Sequence, residues 1–222
     1  MALILLLETA TSVCSVAVAE DGKLLAIHEE SEKNIHATHL TLFIENVMQQ
    51  AGRSLSDLDA IAVSMGPGSY TGLRIGVSTA KGLCYAMDKP LIGINTLESM
   101  AAVIANSSTS LYVPMIDARR MEVYTAVYDA DLKEILPTQA MILDEQSFAA
   151  LSGDLVIFGD GAEKSKEVLQ TRTNTSWIEA YPSARGMAEI AEQRFNKHQF
   201  EDVAYFEPFY LKEFVSTAKA KT

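Results

Sequence analysis

The stretch Gly66-Pro67-Gly68-Ser69-Tyr70-Thr71 is where the sequence comes nearest to a ligand-binding device. Proline fixes φ and the glycines on either side accept positive φ, so the chain must turn sharply after the apolar run Ala60 to Val63. Ser69 is placed to cap a helix predicted from about Tyr70 to Met87. A glycine-rich turn that feeds a helix N-terminus can hold an anion with its backbone N–H groups and the helix dipole. Gly66, Gly68 and Ser69 are therefore weak anion-site candidates. The spacing matches neither the G-x-x-x-x-G-K-[ST] phosphate loop nor G-x-G-x-x-G. A second reading competes and is favoured. Gly72, Gly76 and Ala80 recur at i, i+4, i+8, leaving one helix face bare for a close neighbour. Gly72, Gly76 and Gly82 should each cost the helix about 1 kcal/mol relative to alanine.

Other chemistry-bearing residues are sparse. His36 and His39 stand at i, i+3, with no third histidine or carboxylate beside them; metal-binding pairs on helices more often sit at i, i+4 around an acid. No metal site is expected. A nucleophile needs a base and an orienting group, and no Ser-His-Asp or Cys-His arrangement is supported. Cys14 and Cys84 lie in apolar surroundings and read as buried, inert thiols. Glu8 reads as a strand-ending acid that bonds neighbouring amides. Arg119 and Arg120 fall in a polar turn where Asp117 or Glu122 can pair them, worth under about 1 kcal/mol if exposed. Binding of an anion or an acidic partner by that pair is the less favoured alternative.

The elements that would position these residues alternate. Leu3 to Glu8, Val13 to Glu20 and Lys23 to Glu30 form an antiparallel meander with a turn at Asp21-Gly22. A helix follows from Asn34 to Gly52, with Ala37, Leu40, Ile44, Val47, Met48 and Ala51 on one buried face. His39, Leu42, Phe43 and Asn46 fall off that face, and Leu42 and Phe43 are too large for a purely solvated edge. Strands at Ala60–Val63 and Leu91–Ile94 and a helix at Thr96–Ala105 complete a βββαβαβα order. Asn106 to Ser110 is the best boundary. It divides the chain into an N-terminal unit, 1–106, and a smaller C-terminal unit, 107–222. The second unit is predicted with strands at Leu111–Ile116, Met121–Tyr128, Lys133–Leu143 and Leu155–Gly159. Helices are predicted at Asp144–Leu151, Ala162–Gln170 and Arg185–Asn196.

The 222 residues are 48% apolar and carry a formal charge of −11. A filled core is affordable, whereas unaided nucleic-acid binding is not expected from so acidic a chain. No run approaches the ~18 apolar residues of a membrane span, and Met1 to Leu7 lacks a basic flank; a cytoplasmic protein is expected.

The run Gly66-Pro67-Gly68-Ser69-Tyr70-Thr71-Gly72-Leu73-Arg74-Ile75-Gly76-Val77-Ser78-Thr79-Ala80-Lys81-Gly82-Leu83 resembles the signature of the TsaB (YeaZ) family of tRNA threonylcarbamoyladenosine synthesis. Asp117-Ala118-Arg119-Arg120-Met121-Glu122-Val123-Tyr124 resembles that family's Asp-Ala-Arg-Arg-Gly-Glu-Val-Tyr, with Met121 in place of glycine. Gly159-Asp160-Gly161-Ala162 and Pro208 to Lys212 resemble further family motifs. The resemblance implies an α/β fold of the actin-like, ribonuclease H-like class (the Hsp70–sugar kinase superfamily), in two subdomains with mixed sheets. In that superfamily the first hairpin holds phosphate, usually with aspartate and glycine. Here it reads Glu8-Thr9-Ala10-Thr11-Ser12, which argues against a catalytic nucleotide site.

The resemblance further implies a non-catalytic scaffold subunit, paired with a catalytic TsaD-like subunit and a TsaE-like ATPase. A homodimer is expected in isolation, and tRNA only indirectly through the complex. No cofactor of its own is implied; the complex would use ATP-derived threonylcarbamoyl-adenylate and a metal. The implied interface comprises His39, Leu42, Phe43, Asn46, Thr71, Gly72, Ile75, Gly76, Thr79, Ala80 and Leu83. On that reading Gly76→Leu should spare the fold and abolish partner binding. The alternative is an ATP-dependent phosphotransferase of the same superfamily.

Overall fold

The computed structural model describes residues 2–31, 35–105 and 110–212, with the side chains of 35–37 excepted. The first sheet is built from β1 (Leu3–Glu8), β2 (Val13–Glu20), β3 (Lys23–Ser31), β4 (Ala60–Gly66) and β5 (Leu91–Asn95), in the order β3-β2-β1-β4-β5. The meander β1-β2-β3 is antiparallel, and β4 and β5 add in parallel to β1. Helices α1 (Ile35–Gln50), α2 (Tyr70–Met87) and α3 (Thr96–Ile104) make the connections. β1 is buried along its whole length because both faces are covered, which is why it reads as an unbroken apolar run. Leu3, Leu5 and Leu7 pack with Leu40, Ile44, Val47 and Val77 of α1 and α2. Ile4 and Leu6, on the opposite pleat, face a second core with Met187, Ile190 and Ala191.

The second sheet holds β6 (Leu111–Asp117), β7 (Glu122–Tyr128), β8 (Glu134–Ile142), β9 (Leu155–Phe158) and β10 (Thr175–Trp177), ordered β10-β9-β6-β7-β8. Pro137 lies within β8, at the sheet's edge, where a missing N–H is tolerated. α4 (Ala162–Leu169) follows β9. α3 belongs to both halves: Leu97 and Met100 pack with Tyr112, Ile116 and Phe158. The Asn95 amide donates to Thr138 Oγ1 at 2.9 Å, tying the first sheet to β8.

Three expectations need correction. No helix forms over 144–151, which is a run of turns. Asp144 does supply the opening bonds, accepting from the Gln146 N–H and the Ser147 hydroxyl. Phe148 then takes a left-handed φ of 63°, and Arg172 captures the carbonyls of Phe148 and Leu151. β10 was not anticipated, since three residues around Trp177 give no usable period. Finally, the chain after 107 is not one contiguous unit in space. The 3-10 turn Ala184–Met187 and α5 (Ala188–Asn196) return to the first sheet, and Glu201 bridges to Leu91.

Candidate functional site

Three neighbouring features decide what the glycine-rich stretch does: the β1–β2 turn, the β4–α2 turn, and the face that α1 and α2 turn outward. Ser69 caps α2 as its sequence predicts, accepting from the Gly72 N–H at 3.3 Å. The Ser69 N–H itself donates to the Ala10 carbonyl at 2.6 Å, joining the two turns. A Cβ on Gly68 would fall within 3 Å of that same Ala10 carbonyl. On Gly72 it would strike the Thr9 carbonyl, and on Gly76 the Thr9 hydroxyl, both well inside 3 Å. Ala80 of the same stripe is fully buried in the core. The bare face of α2 is thus filled by this chain's own β1–β2 turn. Gly72, Gly76 and Ala80 are not surface residues, and the expectation that Gly76→Leu spares the fold fails on that geometry.

The turn before α2 is equally occupied. Gly66 adopts φ 117°, and a Cβ there would come within 2.6 Å of the Phe209 carbonyl. The Phe209 N–H donates to the Met65 carbonyl at 2.7 Å. The segment around Phe209 therefore lies against Gly66. In the second half, Cβ atoms on Gly159 and Gly161 would crowd the backbone of Met115 and Ile116. These glycines serve close contact between chain segments of the protein.

Glu8 sits beneath the first of these turns, fully buried. One carboxyl oxygen accepts from the Ala10 N–H at 2.7 Å; among the described residues the other has no hydrogen-bond partner, nor does the Thr9 hydroxyl. Burial pushes the Glu8 carboxyl up to about 7, against the bonds from Ala10, Ser64 and Thr9 that favour its charge. On β2, burial pushes the Cys14 thiol up to about 12, with Glu8 and Glu30 adding negative field; Cys84 rises to about 12 by burial. Thiols held so far from the thiolate are poor nucleophiles. Among the described residues no cluster of His, Cys, Asp or Glu could hold a metal ion.

The outward face of α1 and α2 is the remaining candidate. His39, Leu42, Asn46 and Thr71 are exposed, Leu42 by 49%, and Ile75, Thr79 and Leu83 are half-buried. Phe43 is buried instead, its ring 4.0 Å from that of His28 on β3, because α1 crosses that strand. A groove of about 690 Å³ runs between the helices, lined by Thr41, Ile44, Glu45, Met48 and Gln49 of α1, Thr79 and Leu83 of α2, and Arg53 and Leu55 between them. Gly82 is exposed on α2, and among the described residues nothing lies within 4 Å of a Cβ built upon it. Ser78, Gly82, Leu55 and Tyr85 belong to the exposed surface and were missed by sequence reasoning. Gly82 carried the usable signal, a helix-interior glycine outside the i, i+4 stripe.

The family model described as TsaD, tRNA N6-adenosine threonylcarbamoyltransferase, matches residues 24–215. The tRNA threonylcarbamoyladenosine biosynthesis protein TsaB of Escherichia coli (strain K12) is 34% identical over 229 aligned residues, covering 97% of each chain. The chain belongs to the TsaB (YeaZ) family. The solved structure of YeaZ from Pseudomonas aeruginosa superposes with a TM-score of 0.83 at 25% identity, covering 95% of this chain and all, 100%, of that one. The activator of the 2-hydroxyisocaproyl-CoA dehydratase from Clostridium difficile, solved with bound ADPNP, shares the fold alone. Its TM-score is 0.53 at 10% identity, over 89% of this chain and 97% of that one. The α/β actin-like architecture with two mixed sheets, expected from the motifs, is the one observed. In this TsaB-family chain no described helix is long and apolar enough to cross a membrane.

Proposed function

We propose that this chain takes part in forming threonylcarbamoyladenosine in tRNA as a non-catalytic subunit, docking a TsaD-like catalytic subunit through the outer face of α1 and α2. The observation that carries the reading is Gly82. It sits inside an 18-residue helix, and among the described residues nothing lies within 4 Å of a Cβ built upon it. A glycine there costs the helix about 1 kcal/mol, and no internal contact compensates for it. Bare backbone on an exposed helix lets a second helix approach closely. Leu42 of α1 and Leu55 after it are exposed, and the inter-helical groove, which Leu55 lines, offers a seat for apolar side chains. A TsaD-like occupant is favoured because one family model describes the transferase and matches this chain, so such a partner would be expected to carry an equivalent helix pair. A second copy of this chain would use the same face when that partner is absent, and a TsaE-like ATPase would join the assembled pair.

Gly82→Arg is expected to leave the melting temperature at or above that of the parent, since its Cβ meets open space. Co-purification with the TsaD-like subunit should be lost. Leu42→Asp should behave likewise. Wild-type recovery of the partner by both variants would remove the docking face.

The phosphotransferase reading finds less support, because both glycine turns are filled by the chain's own backbone. Calorimetric titration of ATP-Mg²⁺ into the isolated protein should yield no binding heat at micromolar protein. A micromolar dissociation constant together with phosphoryl transfer would restore that reading.

A further inference from the structure

A connected line of cations and tyrosines crosses from α2 to the β6–β7 turn, and the docking reading has no use for it. The Arg74 guanidinium lies 4.0 Å from the centre of the Tyr70 ring and donates to the Tyr70 hydroxyl. Tyr210 stacks 4.8 Å from Tyr70, and its hydroxyl accepts from Arg74 at 3.3 Å. Two residues on, Lys212 pairs with Glu122 at the start of β7. Lys164 of α4 donates to the Glu122 and Arg120 carbonyls and pairs with Asp117 at 2.5 Å. The line ends on Arg119 and Arg120.

That last pair is held in an uncommon way. Arg119 has φ 71° and Arg120 φ 53°, two consecutive left-handed residues, neither of them glycine. Such conformations disfavour side chains with a Cβ and persist where the surroundings impose them. Here the Arg119 N–H donates to Asp117 at 2.7 Å and Lys164 grips the Arg120 carbonyl at 2.6 Å. Of the acids along the line, Glu122 is engaged by Lys212, Asp117 by Lys164 and the Arg119 N–H, and Asp160 by the Asp117 N–H. Arg74, Arg119 and Arg120 are exposed and form no ion pair among the described residues. In a chain of net charge −11, this is a local reversal of sign.

We propose that Arg74, Arg119 and Arg120, with Tyr70 and Tyr210 alongside Arg74, form a contact surface for the phosphodiester backbone of RNA. Guanidinium groups match phosphate oxygens in a two-pronged geometry, and tyrosine faces accept unpaired bases. Cations interleaved with aromatics suit a nucleic acid better than an acidic peptide, which would leave the rings unused. Few cations make a weak site, so the surface adds to the grip of a larger assembly. The net charge argued against direct, unaided nucleic-acid binding, and the family resemblance implied tRNA only indirectly. The distribution of that charge supports direct contact.

The test uses the purified chain and a fluorescein-labelled, unmodified tRNA transcript, read by anisotropy from low to moderate salt. Wild type should bind with a log–log salt slope of roughly −3, as a few phosphate contacts require. Arg119→Gln with Arg120→Gln should weaken binding roughly tenfold at low salt and flatten the slope by about 2. The pair Arg119→Asn and Arg120→Gly should lose as much affinity while melting at a higher temperature, because those residues suit left-handed φ. Leu42→Asp, which targets the docking face, should bind RNA like wild type, so the two readings fail separately. The proposal is overturned if wild type does not bind at low salt, if both arginine pairs bind unchanged, or if poly-glutamate displaces the RNA at equal charge. The last result would assign the surface to an acidic protein.

Discussion

Gly72→Ala should destabilise the protein by about 3 kcal/mol, the upper range for overpacking a close-packed site. The substitution adds one methyl group and would improve helix propensity by about 1 kcal/mol were the site open. It is not open: the new Cβ would meet the Thr9 carbonyl, a buried backbone atom in the turn just past the Glu8–Ser15 pair. Something must move, either α2 away from the sheet or the β1–β2 turn out of register with the Ser69–Ala10 bond. For a chain of this length the melting temperature should fall by roughly 6–12 °C. Gly82→Ala is the internal control, expected to raise it by a few degrees. Gly76→Leu should be worse than Gly72→Ala, but Gly76→Ala differs in kind, because its obstacle is the Thr9 hydroxyl. Thr9→Ala should therefore rescue Gly76→Ala substantially and Gly72→Ala not at all, a coupling that a double-mutant cycle reads directly. Equal melting temperatures for Gly72→Ala and Gly82→Ala would refute the packing account.

The contrast between Gly72 and Gly82 also shows where the sequence was legible. The bounds of α2, its Ser69 cap and the strands of the meander follow from capping, period and turn chemistry, all of which act within a few residues. That a bare helix stripe implies close approach was legible too. Which backbone approaches it was not, because Thr9 lies more than sixty positions away in sequence and no local pattern encodes that contact. Phe43 failed for a similar reason: helical period placed it off the core face, but β3 and its His28 extend the core beneath it. The segment 144–151 failed because Arg172 competes for its carbonyls from outside. The boundary read at Asn106 to Ser110 lies, Ser110 apart, outside the described residues, and the return of α5 to the first sheet depends on packing with Ile4 and Leu6.

The same hairpin that receives α2 also makes stability depend on pH, through Glu8. Its carboxyl is fully buried with one oxygen unpartnered, and it titrates near 7 rather than at the ordinary 4.5. The folded state therefore holds a proton that the unfolded chain releases at lower pH. Stability from this group is complete below about 4.5 and is lost as pH rises through 7. The whole span corresponds to about 3 kcal/mol. Glu8→Gln removes the titration and leaves an amide oxygen for the Ala10 N–H. Measured at pH 5 and pH 8.5, the variant should gain stability relative to wild type by roughly 2–3 kcal/mol at the higher pH. Glu8→Ala would be a poorer probe, since it strands the Ala10 N–H and opens a cavity. The effect should reach α2 as well, because Thr9 and Ala10 are the residues on which its glycines rest. Hydrogen exchange at Gly72 and Leu73 should therefore quicken between pH 6 and pH 8 in wild type, beyond the intrinsic rate, and not in Glu8→Gln. A pH profile of unfolding identical in the two proteins would mean that Glu8 is ionised without penalty, and that the carboxyl has found a partner the buried turn does not supply.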